Sequence, residues 1–232
     1  MTSYGNNKSA QQRIQDFDRQ LANPVLIQQG IGRKCEVDDE AWIPGKDKPG
    51  RLTAQQLWDE PGQPTITWMR RAKSQLDTLH SAFPMLSFSY FNVPATRGVW
   101  RRGSAIEQEI ANRITACTLQ FDDGRSLVDA CGHLQPGAYI SGLRASRPQD
   151  WPGIHEAYAW VLAELALLGK DIFVVTSPYT HASFNPVPEP LFSDHLANLL
   201  GHSNVTVNVW TKQKSWEPSD RVWYDKYVAL NQ

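Results

Sequence analysis

Apolar positions recur along this chain at two spacings, and the spacing changes mark its elements. Ile14, Phe17 and Leu21 fall on one face of a helix expected from Ser9, whose hydroxyl would cap it, to Ala22. A second helix is expected from about Pro64 to Ala82, with Met69, Ala72, Leu76, Leu79 and Phe83 on one stripe and Arg70, Arg71 and Lys73 on other faces. Between them, Gly30 to Gly62 carries Gly, Pro and charge in excess. It reads as a long irregular connection, a flap or a linker, interrupted by a helical turn at Thr53 to Asp59. Leu86, Phe88 and Tyr90 alternate with Ser87 and Ser89, which predicts a strand over Met85 to Val93. Ser104-Ala105-Ile106-Glu107 has the form of a capping box opening a helix to about Ala116, and Thr118 to Val128 reads as a hairpin turned at Asp123-Gly124.

The last hundred residues are more regular. Gly137 to Gly142 reads as a strand ending in a turn. Asp150-Trp151-Pro152 opens a helix with Ile154, Tyr158, Val161, Leu165 and Leu168 on one face, closed at Gly169. Ile172-Phe173-Val174-Val175 is the continuous apolar run of a strand covered on both faces. A helix over Ser193 to Leu200, a strand over Val205 to Trp210 and a helix over Ser219 to Leu230 complete the chain. This alternation predicts right-handed crossovers on a parallel sheet. The expected fold class is α/β, with a C-terminal three-layer, Rossmann-like unit and an N-terminal α+β portion of helices and a hairpin. The expected divisions are 1–62, 63–135 and 136–232.

Composition narrows the function classes. The chain has 232 residues, 23 Lys and Arg against 24 Asp and Glu, so nothing in the overall charge favours a polyphosphate partner. No apolar run reaches the roughly 18 residues of a membrane span. The polar stretch Met1 to Ala10 contains no secretory leader, and Cys35, Cys117 and Cys131 are widely spaced. Reduced thiols, a cytoplasmic location and no metal site are therefore expected. The absence of GxxxxGK[ST], GxGxxG and GxSxG argues against a P-loop, a dinucleotide fold and a hydrolase elbow. The nine tryptophans are the compositional oddity.

Parallel sheets bind ligands beyond the carboxyl ends of their strands, where helix starts also aim their amides. Three loops would lie there. They offer Ser141, Gly142, Arg144, Arg147 and Trp151 in the first, Ser177, Tyr179, Thr180 and His181 in the second, and Trp216 in the third. Small residues would let a ligand approach the backbone, cations and amides would hold an anionic group, and Tyr179 or Trp216 would stack on a base. Tyr139-Ile140-Ser141-Gly142, Asp150-Trp151-Pro152-Gly153-Ile154-His155-Glu156-Ala157 and Leu168-Gly169-Lys170-Asp171-Ile172-Phe173 resemble the opening of nucleoside 2-deoxyribosyltransferase-like proteins, and Ser177-Pro178-Tyr179-Thr180 is similar to a tetrapeptide of that family. The resemblance covers about a third of the chain. It implies a nucleotide-like ligand and, for an enzyme, chemistry at a nucleoside or nucleotide bond. The family's Asp pair and nucleophilic Glu have no counterpart here, so no catalytic residue is assigned and no cofactor is named.

A second reading uses Tyr90, Arg97, Trp100, Arg101 and Arg102, where aromatics interleave with cations as they do in proteins that stack bases and meet phosphates. Under it the chain is a non-catalytic protein with a nucleic-acid or protein partner. Glu107/Glu109, Asp122/Asp123 and Asp38/Asp39/Glu40 are not read as catalytic pairs. Among the histidines His181 is the functional candidate, and the others are expected to be surface or half-buried.

Overall fold

The computed structural model describes residues 2–4, 8–22, 34–38, 65–94, 101–180, 185–210, 225 and 228–229. The chain mixes helix and strand with small parallel sheets, an α/β arrangement. It divides into two compact units, 1–95 with 108–135 and 96–107 with 136–232.

The first unit is built on strands β1 (Thr2–Tyr4), β2 (Lys34–Asp38) and β3 (Ser87–Tyr90), parallel and adjacent in that order, with Cys35 opposite Phe88 and Val37 opposite Tyr90. Helix α1 (Ala10–Leu21) follows β1 and α2 (Thr65–Ala82) precedes β3. Ser9 caps α1 as expected: its hydroxyl accepts from the Gln12 amide at 3.2 Å, and Gln12 Oε1 accepts from the Ser9 amide at 2.8 Å. The α2 stripe Met69, Ala72, Leu76 and Leu79 is wholly buried. Phe17 of α1 meets Phe88 edge-to-face at 5.0 Å, and Trp68 of α2 meets Tyr90 at 5.1 Å.

Three expectations are corrected here. Lys34–Asp38 falls in the stretch read as irregular, yet it is the central strand of the sheet. Only Cys35 and Val37 are apolar in it, too few to register as an alternation beside flanking charge. The rest of that stretch, 39–62 with the turn expected at Thr53 to Asp59, lies outside the described residues. The second correction is the hairpin, because Thr118 to Val128 forms no strands. Gly124, at φ +75°, makes the expected turn, with its amide on the Phe121 carbonyl at 2.8 Å. The chain then enters the short helix α4 (Leu127–Ala130), capped reciprocally by Ser126 and Asp129. That cap supplies hydrogen bonds the second strand would have sought. The third is the capping box at Ser104. Helix α3 (Ser104–Thr118) already includes that residue, the Gly103 carbonyl accepts from the Glu107 amide, and the Glu107 carboxylate accepts from Arg102 Nε at 2.7 Å.

The second unit contains α5 (Gly142–Ala145), a 3₁₀ turn (Pro148–Asp150), α6 (Trp151–Ala166), β4 (Ile172–Thr176), α7 (Glu189–Leu200) and β5 (Val205–Val209). β4 and β5 pair in parallel with Val174 opposite Val207. The strand expected over Gly137 to Gly142 narrows to isolated bridges, among them a parallel one of Gly137 with Val175, fixed by Ala138 N to Val175 O at 2.8 Å and Val175 N to Pro136 O at 3.0 Å. Ile154, Tyr158, Val161 and Leu165 of α6 are buried as expected, and Gly169 takes the left-handed φ of +68° just beyond the helix. α7 starts four residues before its expected beginning at Ser193, with Pro190 in its first turn where a missing N–H costs nothing. Of the helix expected over Ser219 to Leu230, only 225 and 228–229 are described, and these are helical.

No helix among the described residues is long and apolar enough to cross a membrane. Within each unit, sheet neighbours follow chain order without reversal.

Candidate functional site

The described parts of the first two loops expected to carry a ligand are largely occupied by their own structure. Ser141 is the N-cap of α5, and its hydroxyl accepts from the Arg144 amide at 3.4 Å. Gly142 opens that helix. Arg144 Nη1 donates to Asp150 at 2.8 Å, and the half-buried Trp151 donates from Nε1 to the Ala145 carbonyl at 3.3 Å. Arg147 is exposed at the start of the 3₁₀ turn. Ser177, Tyr179 and Thr180 are all buried at the end of β4. Ser177 Oγ accepts from the Tyr179 amide, while Thr180 N and Oγ1 pair with the Asn185 backbone. Tyr179 forms an antiparallel bridge with Pro186. His181 and Trp216 lie outside the described residues.

The aromatic and basic region is likewise redistributed. Tyr90, offered as a base-stacking ring, is in the core at 1% exposure. It packs on Trp68, lies under the Arg13 guanidinium and hydrogen-bonds to Gln75. Its neighbours on the strand alternate faces, and the aromatic face is the helix side. Arg102 is 5.8 Å over the Trp160 ring and is bracketed by Glu107 and Glu156. Arg101 is exposed, and Arg97 and Trp100 are outside the described residues.

The groove between α2 and the turn at Gly124 encloses about 500 Å³, but its charges answer one another. Lys73 binds Asp123 at 2.5 Å and Asp77 at 3.3 Å, Arg125 binds Asp77 at 2.9 Å, and Arg70 approaches Asp122 at 3.8 Å. Asp123 holds the Lys73 ammonium above its usual range. Its lining lies on helix and turn, away from the strand ends.

The chemistry is on the other side of the β1–β3 sheet. Residues alternate along a strand, so Cys35, Val37, Phe88 and Tyr90 face the helices while Lys34, Glu36, Ser87 and Ser89 face away. Residues 132–135 run beside β3 in the same sense, tied by Gly132 N to Phe88 O at 2.8 Å and, just beyond the strand, by an isolated bridge between Val93 and Gln135. They deliver His133 and Gln135 to the same face and leave Leu134 in the core. Two polar rows result. In the first, Lys34 is opposite Ser87, whose hydroxyl meets His133 Nδ1 at 2.9 Å. In the second, Glu36 is opposite Ser89, and Gln135 Nε2 donates across to the Glu36 carboxylate.

Ser89, His133 and Gln135 are fully buried, whereas Lys34, Glu36 and Ser87 are half-exposed. Parallel sheets ordinarily bury apolar side chains on both faces. A polar and partly accessible face is therefore a departure that packing does not explain. Gln135 Oε1 finds no donor among the described residues, an omission that costs about 1–3 kcal/mol. Just beyond β3, Asn92 holds a left-handed φ of +59°, and its amide donates to the Gln135 carbonyl at 2.7 Å. Carboxylate, amide, hydroxyls, imidazole and ammonium thus sit together, able to bind hydroxyl groups and to move a proton. Glu36 and Gln135 went unpredicted. The legible signal was the alternation of Ser87 and Ser89 with aromatics, which shows a polar face but not what opposes it.

In the second unit His155, half-buried as expected, is paired with His195, which is wholly buried. His155 and His195 stack at 6.1 Å, and Tyr158 meets His195 edge-on at 5.1 Å. His133 and His195 are both wholly buried, correcting the expectation for them: each ring is held by a specific acceptor or hydroxyl. Burial pushes the His195 imidazole down to about 4 and holds His155 below its usual range against the opposing pull of Asp194. The three cysteines are buried and form no disulfide, and burial pushes the Cys35 thiol up to about 11. Among the described residues no group of three or more His, Cys, Asp and Glu converges to hold a metal.

No protein-family model matches the sequence, and no curated protein sequence matches it. Two solved structures of bee venom hyaluronidase are similar in fold. The monoclinic crystal structure gives a TM-score of 0.52 at 10% identity, covering 95% of this chain and 76% of that one. The complex with a hyaluronic acid tetramer gives 0.51 at 10% identity, covering 95% and 74%.

Proposed function

We propose that this chain binds a saccharide on the polar face of the β1–β3 sheet and acts on a glycosidic bond there, with Glu36 as the acid or base. The observation that carries the reading is the row Glu36–Ser89–Gln135, a half-exposed carboxylate steadied by a buried amide on the face of a parallel sheet. A carboxylate at the centre of the face disfavours a phosphate, whereas alternating acceptors and donors suit hydroxyls. Glycoside cleavage uses two carboxyl groups, and the sequence continues from Glu36 into Asp38, Asp39 and Glu40, the run that would supply the second. The hyaluronidase of similar fold, solved with a hyaluronic acid tetramer, adds support from outside the chain.

The test is a thermal-shift and hydrolysis panel of hyaluronan oligosaccharides, chito-oligosaccharides, 4-nitrophenyl glycosides and nucleotides. Stabilisation and turnover by a saccharide, with turnover abolished in Glu36→Gln, is the expected result. Stabilisation by nucleotides alone would overturn it. The nucleotide-like ligand at 141–180 would then be the better reading, and loss of that response in an Arg144→Ala, Tyr179→Ala double variant would establish it.

A further inference from the structure

We propose that Gln135 is a positioning residue, placed to fix the carboxylate of Glu36 and not to stabilise the fold; this rests on the reading of Glu36 as the reacting acid or base. The main chain of Gln135 is clamped at the end of β3, its amide on the Val93 carbonyl at 3.3 Å and its carbonyl on the Asn92 amide at 2.7 Å. The side chain is fully buried, so it has one arrangement. That arrangement is fixed by its partner: a carboxylate only accepts, so the NH₂ end must face Glu36. The opposite end, Oε1, is left in the interior with no donor among the described residues. A side chain selected for stability would be satisfied at both ends or carry no polar atoms at all. This one accepts an unmet carbonyl in return for an N–H delivered to one carboxylate oxygen, across Ser89 and from the far side of β3.

The arrangement makes an unusual prediction, because the two properties should move in opposite directions. Gln135→Met keeps the length and removes both polar ends. It should leave the melting temperature unchanged or higher, since an unmet carbonyl is gone. It should lower kcat roughly ten- to a hundredfold on whichever glycoside the wild type turns over, with KM within about threefold, as expected when a reacting group is mispositioned. A drop in melting temperature with kcat unchanged would make Gln135 merely structural and overturn the proposal.

A measurement independent of turnover keeps the two readings apart. The side-chain NH₂ resonances of Gln135, assigned by their loss in Gln135→Met, should lie downfield and exchange slowly, and should move to the free-amide position in Glu36→Leu. If those resonances ignore Glu36, the proposal fails even where saccharides are cleaved. If they respond while no saccharide binds, the positioning contact stands and the saccharide reading alone falls.

Discussion

His195 donates from Nε2 to the carbonyl oxygen of Ala138 at 3.0 Å, both residues being buried in the second unit. The same carbonyl accepts from Thr176 Oγ1 at 2.8 Å. Because a carbonyl only accepts, the tautomer of His195 is settled: the proton is on Nε2, and Nδ1 is a buried lone pair without a donor among the described residues. Protonating Nδ1 would place a charge in the core, stacked on a second imidazole.

Stability of this unit should therefore depend on acid. The folded-state value of about 4 lies below the ordinary 6.5, so the unfolded chain binds the proton first as pH falls. The neutral ring contributes its full stabilisation above pH 6.5 and loses it between 6.5 and about 4, on the order of 3 kcal/mol. Chemical denaturation from pH 8 to 4 measures this. His195→Gln, which stays neutral and retains a donor, should flatten the slope over that interval; an unchanged slope would show that other groups dominate acid lability.

Thr176→Val removes one of the two donors on the Ala138 carbonyl at nearly constant volume. A loss of about 1 kcal/mol is expected in urea titration, since the carbonyl keeps His195.

Phe88 is the centre of the aromatic cluster, with Phe17 at 5.0 Å, His80 at 5.4 Å and Phe83 at 6.0 Å. Truncation to Ala would empty a fully buried site between two helices and cost about 3–5 kcal/mol, read as a fall in denaturation midpoint at unchanged m-value.

Gly132→Ala tests the first polar row. A Cβ there would run into Ser87 Oγ and would also stand 3.2 Å from the Phe88 amide nitrogen and from His80 Cε1. Only the hydroxyl can turn aside, so the Ser87–His133 contact should break, with destabilisation of about 1–3 kcal/mol. The His133 ring resonances should shift in NMR while those of His195 stay in place.

Much of the fold is legible in the sequence where apolar spacing persists over several turns. The stripes on α2 and α6 and the run at Ile172–Val175 fall where expected, because burying several side chains together outweighs any local preference, whereas of the α1 stripe only Phe17 is fully buried. Lys34–Asp38 escaped notice because a five-residue strand with two apolar positions has no such margin. The site was less legible, for a related reason. Arg144, Ser177 and Thr180 are polar residues in loops, and polarity there is satisfied by caps and turns as readily as by ligands. Glu36 and Gln135 are 99 positions apart, and only the passage of 132–135 beside β3 joins them.

The chain-ordered sheet of the first unit has a consequence for how the protein can change. Phe17 of α1 and Trp68 of α2 pack on the same face of β3, so the helices that flank these chain-ordered strands are on one side. Each strand consequently carries scaffold and chemistry on alternate residues. Substitutions at Lys34, Glu36, Ser87, Ser89, His133 and Gln135 change the polar side while the aromatic packing lies on the other. A one-residue insertion within β2 would exchange the two sides at once and lose both. The sheet is thus permissive to replacement and intolerant of changes in length, the pattern by which a scaffold acquires new specificities.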